Sequence, residues 1–157
     1  MLYPFTILFL TIVSGEPETP PLQVISLVSK PPVIDGKLDD KAWPKIQPFS
    51  PFLISGTKTP APIQTEVKAC FDGGALYFAI VCLDPSSPKL KAKYDRRDGP
   101  LWEDDAIEIF INPDDRTYYQ FILNSKGARC DLSYPKPSGG KTGLDWNAKP
   151  DWSVKTS

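Results

Sequence analysis

Residues 100–111 bring aromatic rings and carboxylates together in one short segment, Pro-Leu-Trp-Glu-Asp-Asp-Ala-Ile-Glu-Ile-Phe-Ile. Side chains of a β-strand alternate between its two faces, so a strand over residues 104–111 gathers its isoleucines on one apolar face. Trp102, Glu108 and Phe110 then share the other face. This combination suits a sugar, because the ring stacks on apolar C–H groups while the carboxylate accepts hydroxyl hydrogen bonds. A solvated strand face with one inward phenylalanine is the alternative.

The next predicted strand, over residues 117–124, supplies further polar side chains. Antiparallel pairing that keeps the apolar side chains on one face places Glu108 opposite Gln120. In the same register Asp104 lies opposite Asn124. The sequence therefore predicts one polar and aromatic patch, made of Trp102, Asp104, Glu108, Gln120 and Asn124.

Other elements are predicted from turn residues and from the spacing of apolar residues. Residues 63–71 and 75–83 form the clearest hairpin, around Asp72-Gly73-Gly74. Both faces of its second arm are apolar, which predicts a central strand that is covered on both sides. Further strands are expected over residues 22–29, 47–54 and 128–134 and from residue 152 onward, with a short helical turn that buries Leu38 and Trp43. Because the sequence stops inside the last of these strands, we expect the C-terminal strands to be missing.

Composition narrows the class of protein. The 157 residues are 41% hydrophobic and include 18 prolines, which favours a single domain, mostly of β-strands and loops. A net charge of −1 gives no electrostatic reason to expect nucleic acid or an anionic membrane as a partner. The absence of histidine excludes Ser-His-Asp catalysis and histidine-bound zinc or haem. We therefore expect no haem.

The N-terminal segment predicts export. Residues 1–15 read as a signal peptide, with a short apolar run before Val13-Ser14-Gly15. The run is too short to span a bilayer, so we expect a secreted, extracellular or periplasmic protein with no membrane contact after cleavage. Because no lysine or arginine precedes the run, a wrongly assigned start or a membrane anchor is the alternative. Residues 16–21 form a linker, and residues 22–157 form the domain.

The three cysteines allow at most one disulfide within the chain. A tight hairpin pairs Cys70 with a residue near Tyr77, which leaves Cys82 too far along the strand for a bridge. We expect Cys70, Cys82 and Cys130 to behave as small buried hydrophobic residues.

Several motifs, in order along residues 23–157, carry a resemblance to a known family. They are Val33-Ile34-Asp35-Gly36-Lys37-Leu38-Asp39-Asp40 with Trp43, Thr65 with Val67, Phe71-Asp72 with Ala75-Leu76-Tyr77-Phe78, Asp84-Pro85, and Leu101 to Ile111. This set resembles the family 9 carbohydrate-binding modules, which accompany xylanases and other secreted bacterial proteins. The resemblance implies an antiparallel, jelly-roll-like β-sandwich, bound calcium, and recognition of sugar-chain ends between two tryptophans.

The resemblance also assigns roles to single residues. Trp102 matches the first of the two tryptophans, and Glu108 matches the acid that hydrogen-bonds sugar hydroxyls. Gln120 and Asn124 match the neighbouring polar positions. The chain departs from the family where Ile122 replaces a sugar-binding arginine, and the second tryptophan of the family lies beyond the end of this sequence.

Asp84 and Asp105 are the acids that we expect to hold the calcium ion. Calcium prefers several oxygen ligands, which carboxylates and loop carbonyls supply. Asp105 begins the strand on its inward side, where an unpaired carboxylate is costly. The alternative is that Asp105 accepts backbone N–H groups at a turn.

The expected function is that of a non-catalytic, secreted, monomeric carbohydrate-binding module for plant-type or microbial polysaccharide, linked to carbohydrate catabolism. Any hydrolysis of glycosidic bonds is expected to belong to an associated catalytic domain. A glycoside hydrolase is one alternative, with acids available at Asp104, Asp105, Glu108 and Asp131. Most of these acids are neighbours on one strand and do not face each other across a substrate, which disfavours that alternative. An adhesive or structural sandwich without sugar binding is the other alternative.

Overall fold

The computed structural model describes residues 24–85, 89–113, 117–135, 143 and 146–157. Within these ranges the strands form two three-stranded sheets, with short 3₁₀ turns at Trp43–Lys45 and Leu101–Glu103 and no α-helix. Across the same ranges no helix is long and apolar enough to cross a membrane. The prediction of an all-β fold with antiparallel strands in two sheets is confirmed. The predicted signal peptide and linker, residues 1–21, lie outside the described residues.

The first sheet belongs to a compact unit that spans Thr11–Pro88. It contains strands β1 (Ser26–Leu27), β2 (Thr65–Phe71) and β3 (Leu76–Cys82) in the order β1-β2-β3. β1 runs parallel to β2, and β2 runs antiparallel to β3. The predicted hairpin is therefore confirmed.

The turn between β2 and β3 is fixed by Asp72. Its Oδ1 accepts hydrogen bonds from the backbone N–H groups of Gly74 and Ala75, at 2.9 and 2.8 Å. Gly73 has a φ of 98°, a conformation that L side chains rarely adopt. The resulting register places Cys70 opposite Tyr77, as expected.

The prediction of a central, doubly covered β3 is wrong. In the described sheet β2 occupies the centre, because it pairs with both β1 and β3. Val81 near the end of β3 is 37% exposed, and Cys82 is exposed. Apolar residues on both faces of a short strand do not distinguish a central strand from an edge strand.

One hydrophobic cluster of this unit is formed by the buried residues Trp43, Ile46, Cys70 and Ala79. Trp43 is 3% exposed, as the predicted helical turn requires, whereas Leu38 is 43% exposed. The expectation that Leu38 is buried is therefore wrong.

The second sheet belongs to the unit that includes Lys89–Ser157. Its strands are β4 (Ala106–Ile111), β5 (Thr117–Asn124) and β6 (Arg129–Pro135), all antiparallel and in the order β4-β5-β6. The 3₁₀ turn Leu101–Glu103 precedes β4 and ends where the Asp104 N–H donates to the Leu101 carbonyl at 3.0 Å. β4 therefore starts two residues later than predicted, and Trp102 does not lie on the strand.

The register between β4 and β5 also differs from the prediction by two residues. Glu108 lies opposite Ile122, not opposite Gln120, and Ala106 takes the place opposite Asn124. In a hairpin the register is set by the turn and the loop length, which alternation along the two strands leaves open. A shift of two residues preserves the face of every side chain, so Glu108, Gln120 and Asn124 share one face as predicted.

The remaining predicted strands are shorter than expected or absent. Of the strand predicted over residues 22–29, the described part from residue 24 onward contains only β1, and residues 47–54 form isolated bridges at Phe49 and Leu53. Prolines at positions 48 and 51 lack the N–H group that a continuous ladder needs. The described residues 146–157 contain no strand, so the prediction of a strand from residue 152 is wrong.

The three cysteines are free. Cys70 and Cys130 are buried, as expected, whereas Cys82 is exposed. Burial, followed by the nearby Asp98 and Asp131 carboxylates, raises the pKa of the Cys130 thiol to about 11. The thiol is therefore protonated at neutral pH and behaves as an apolar group.

Candidate functional site

The candidate site lies on one face of the β4-β5-β6 sheet, which we call the front face. Strand alternation and register give it ten side chains: Ala106, Glu108 and Phe110 from β4, Tyr118, Gln120, Ile122 and Asn124 from β5, and Cys130, Leu132 and Tyr134 from β6. The opposite face, the back face, carries the isoleucines of β4 together with Tyr119, Phe121, Leu123, Arg129 and Asp131.

The middle of the front face is a hydrophobic core. Ile122, Cys130 and Leu132 are at most 2% exposed and pack with Leu101 and Ala128. Leu101 precedes β4, so the chain before the strand folds over this part of the sheet. The sequence analysis did not predict this core on the front face. Ile122, which the resemblance aligns with a sugar-binding arginine, packs in this core as an apolar residue.

Asn124 lies at one end of the front face and is 2% exposed. Its Nδ2 donates to the carbonyl of Tyr94 at 2.7 Å and to Oδ2 of Asp104 at 2.9 Å. Its Oδ1 accepts from the N–H groups of Lys126 and Ala128, each at 3.1 Å. The amide therefore directs both donors and two acceptor positions to the protein itself, which ties the segment before β4 to the turn between β5 and β6.

Asp104 is held in the same network. Its carboxylate accepts hydrogen bonds from the N–H groups of Lys93 and Tyr94, at 2.8 and 3.1 Å, as well as from Asn124. Desolvation by itself would raise the pKa of Asp104, but the hydrogen bonds from Lys93, Asn124 and Tyr94 outweigh it and lower the pKa. Asp104 is thus an ionised carboxylate that organises the loop before β4.

Gln120 links two other side chains of the front face. Its Nε2 donates to Oε2 of Glu108 at 2.7 Å, and its Oε1 accepts from the Tyr134 hydroxyl at 2.8 Å. Gln120 is 8% exposed, whereas Glu108 is exposed. The buried amide and the phenol therefore orient a carboxylate that remains accessible to solvent.

Trp102 projects from the 3₁₀ turn that precedes β4. Its side chain is 50% exposed, whereas the preceding Leu101 is completely buried. The buried leucine anchors the turn, so the adjacent indole is presented to solvent on a fixed piece of backbone. A large exposed aromatic ring on an anchored turn is available to stack on a ligand.

The other described tryptophans of this unit lie on the back face. The ring of Trp146 is 4.8 Å from that of Tyr119, and the ring of Trp152 is 5.4 Å from that of Phe121, edge to face. The guanidinium of Arg129 lies 5.8 Å from the centroid of the Trp152 ring. Both indoles therefore cover the strands on the side away from Glu108 and Gln120.

An ion-pair network, which the sequence analysis missed, fixes the C-terminal segment. Asp131 is fully buried, and its carboxylate accepts from Nη2 of Arg97 at 2.7 Å and from the N–H of Ala148 at 2.6 Å. Asp151 contacts both Arg97 and Arg129 at 2.8 Å. The hydrogen bond from Arg97 lowers the pKa of Asp151 despite some desolvation. The sequence offered one signal for this network, namely the carboxylate of Asp131 within a predicted strand.

In the structure the Asp105 carboxylate accepts a backbone N–H group, which was the alternative to calcium binding. Its Oδ2 accepts the N–H of Lys91 at 2.7 Å, and its own N–H donates to the Lys91 carbonyl at 2.8 Å. Asp84 follows β3 in the other compact unit. Among the described residues no group of three or more acids or cysteines is placed to hold a metal ion. Calcium also takes backbone carbonyl oxygens as ligands, and calcium at Asp84 and Asp105 stays a prediction.

Comparison with known proteins gives one match. The family model described as carbohydrate family 9 binding domain-like matches residues 34–132, which is more than half of the 157 residues. No curated protein and no solved structure matches the chain. The matched range contains the hairpin of β2 and β3, the turn that carries Trp102, and the front-face residues Glu108, Gln120 and Asn124. The chain belongs to the carbohydrate family 9 binding domain-like family.

Proposed function

We propose that this chain is a non-catalytic carbohydrate-binding module in which Trp102 and Glu108 contact the sugar. The observation that carries the proposal is the 50% exposed indole of Trp102 on the turn that leads into β4, the strand of Glu108. Aromatic stacking on apolar C–H groups and charge-assisted hydrogen bonds to hydroxyls are the two interactions that a sugar offers. Membership of the family supports the same assignment.

Gln120 acts through Glu108. Its hydrogen bond to Oε2, and the hydrogen bond from Tyr134 to Gln120, hold the carboxylate in one orientation before a ligand arrives. A group that is already oriented loses less conformational freedom on binding. Asn124 supports the loop before β4 from within, because its hydrogen bonds are made to the protein.

The proposal extends to the setting of the module. The apolar segment at residues 1–15 supports secretion, and the resemblance to xylanase-associated modules supports a role in the breakdown of plant-type or microbial polysaccharides. Catalysis would then belong to a partner domain, with this chain acting as a monomer that holds the enzyme near its substrate. Reducing-sugar release by the purified chain, dependent on Glu108, would contradict the non-catalytic assignment.

An adhesive or structural module without sugar binding is the second candidate. The observation that favours it is Ile122, which is 1% exposed and stands where family members carry a sugar-binding arginine. A glycan array separates the two candidates, since an adhesive module is expected to bind no glycan on it.

Retention on insoluble cellulose and xylan tests the proposal. We expect wild-type protein to be retained, Trp102→Ala to pass through, and Trp146→Phe to behave as wild type because Trp146 lies on the back face. Equal retention of wild type and Trp102→Ala would reject Trp102 as a sugar contact. Near-ultraviolet circular dichroism of each variant checks that the fold is intact.

The proposal of calcium has its own test. Binding to the folded state alone raises the melting temperature with the ligand concentration. If Asp105 is a calcium ligand, calcium chloride raises the melting temperature of wild type, and Asp105→Asn loses that rise. An unchanged wild-type melting temperature would reject the site.

A further inference from the structure

The hairpin of β2 and β3 carries a groove that the proposed sugar site does not use. The groove has a volume of about 330 Å³. Glu66 and Lys68 from β2, with Ala79 and Val81 from β3, line it, and the register places these four side chains on one face of the hairpin. We call this cavity the hairpin groove. All of its lining residues belong to the compact unit Thr11–Pro88.

The segment before β2 supplies a wall of the hairpin groove, through Leu38, Trp43 and Pro44. Trp43 is 3% exposed and belongs to a buried hydrophobic cluster of this unit. Its carbonyl accepts a hydrogen bond from Nζ of Lys68 at 3.0 Å, which ties the wall to the strand. The groove is therefore already formed in the folded chain, as ligand pockets usually are.

Two lining side chains of the hairpin groove carry opposite charges. Glu66 is exposed and Lys68 is partly exposed, and they lie on one face of β2, about 7 Å apart along the strand. The carboxylate only accepts hydrogen bonds, and the ammonium group only donates them. A hydroxyl group does both, whereas a charged ligand brings a like charge near one of the two residues. The pair therefore favours a neutral ligand with several hydroxyl groups.

The rest of the hairpin groove is apolar. Leu38, Pro44, Ala79 and Val81 contribute aliphatic surface, and Leu38 and Val81 are 43% and 37% exposed. A ligand that fits both parts of the groove needs apolar C–H groups beside its hydroxyls. A neutral sugar ring has this combination.

Trp43 also holds a hydrogen-bond donor that is not used. Its Nε1 is buried and has no hydrogen-bond partner among the described residues. Buried polar groups in folded proteins nearly always have a partner. Because Trp43 lines the hairpin groove, a small movement of the indole would let this N–H donate to an oxygen atom of a bound ligand. The unused donor therefore agrees with a ligand that carries hydroxyl groups.

We propose that the hairpin groove is a second carbohydrate-binding site, which takes one ring of a neutral sugar. Leu38 and Val81 contact the C–H groups of the ring, Glu66 accepts hydrogen bonds from its hydroxyls, and Lys68 donates to them. The inference goes beyond the proposed function, because the groove shares no residue with the site of Trp102 and Glu108.

Nuclear magnetic resonance titration of Trp102→Ala tests the inference, because this variant lacks the proposed contact of the other site. The probes are glucose, glucuronate and glucosamine, at a mildly acidic pH where both analogues are charged. We expect glucose to shift the indole N–H signal of Trp43, with saturation in the millimolar range that a ligand of this size reaches. We expect both charged analogues to bind about threefold more weakly or worse, since each meets a like charge.

Two further variants, each made in the Trp102→Ala background, assign the binding to the hairpin groove. Glu66→Gln keeps the shape of an exposed side chain and removes its charge, so we expect weaker glucose binding and less discrimination against glucuronate. Glu103→Gln, the same substitution at an exposed position of the other unit, is the matched control and is expected to change neither. Val81→Phe fills the groove from an exposed position and is expected to abolish the Trp43 shift. Thermal melting of each variant checks the fold.

The outcomes separate the inference from the proposed function. A Trp43 signal that does not move with glucose, glucuronate binding as tight as glucose binding, or full glucose binding in folded Glu66→Gln and Val81→Phe variants overturns the groove as a neutral sugar site. Retention of wild type on cellulose or xylan leaves the proposed function standing in each of these cases. A shifting Trp43 signal in a protein that neither polysaccharide retains overturns the proposed function and leaves the groove standing.

Discussion

Asn124 and Gln120 lie on the same strand and the same face, four residues apart, and both carry a buried side-chain amide. Their hydrogen-bond partners differ. Asn124 bonds Tyr94, Asp104, Lys126 and Ala128, whereas Gln120 bonds Tyr134 and the exposed carboxylate of Glu108. The role of a polar residue on this sheet therefore depends on whether its partners face the protein or solvent.

The difference follows from how the chain covers the sheet. Leu101 and Tyr94, from the segment before β4, pack on the core beside Ile122, so the end at Asn124 lies under this segment. The other end carries the rings of Phe110, Tyr118 and Tyr134 and the accessible acid Glu108. One half of the face maintains the fold, and the other half is the part that we propose contacts a sugar.

The largest expected effect is the loss of stability on removing Asn124. Asn124→Ala leaves buried N–H and carbonyl groups without partners, and we expect it to lower the free energy of unfolding by about 3 kcal/mol. Gln120→Ala, the same change in kind on the same strand, is expected to cost about half as much. Urea denaturation measures both. Equal costs would remove the distinction between the two amides.

The next effect concerns affinity. Glu108→Gln keeps the shape of an exposed side chain and removes its charge, so charge-assisted hydrogen bonds to sugar hydroxyls become neutral ones. We expect about tenfold weaker sugar binding, or about 1.4 kcal/mol, with unfolding unchanged. Glu103→Gln, an exposed glutamate on the turn before β4, serves as control. A large loss of stability in Glu108→Gln would instead show that Glu108, like Asn124, stabilises the fold.

A smaller effect is expected from Tyr134→Phe. The change removes the hydrogen bond to Gln120 and keeps the ring that stacks on Tyr118. We expect sugar affinity to fall about threefold, equivalent to less than 1 kcal/mol, because one neutral hydrogen bond that orients the acid is lost. Calorimetry measures the affinity. Affinity equal to wild type would show that Glu108 does not need this support.

The dependence of stability on pH gives the smallest effect and concerns the Asn124 end. The pKa of Asp104 is lowered in the folded protein, so its contribution to stability is present above the unfolded pKa of about 3.9 and is lost as the pH falls through the lower folded value. Asp104→Asn removes this part of the acid destabilisation.

Asp151 also has a lowered pKa, so Asp151→Asn is measured in parallel. Urea denaturation at a series of acidic pH values compares the two variants with wild type. An unchanged pH profile in Asp104→Asn would show that the ionisation of Asp104 does not contribute to the stability of the fold.

The sequence predicts which side chains of β4 and β5 share a face. It does not predict the register between the two strands or the burial of each side chain. Alternation along two strands is enough to place Glu108, Gln120 and Asn124 together. The register depends on the turn and loop that join β4 to β5, which strand periodicity does not reveal. The burial of Asn124 depends on Tyr94, which is 30 residues away in sequence.

The contacts on the back face are also not predictable from local sequence. The pairing of Asp131 with Arg97 joins residues 34 apart, and no local spacing predicts it. Trp146 and Trp152 were visible in the sequence, but their place against Tyr119 and Phe121 is a property of the folded sheet.

Nuclear magnetic resonance titration with cellopentaose tests the central claim most directly, because each indole N–H of the chain gives its own signal. We expect the signals of the Trp102 indole and of the backbone amides around Glu108 to shift with sugar concentration. We expect the indole signals of Trp146 and Trp152 not to shift. Shifts confined to Trp146 and Trp152, or a sugar-bound protein with an unshifted Trp102 signal, would contradict the assignment of Trp102 as a sugar contact.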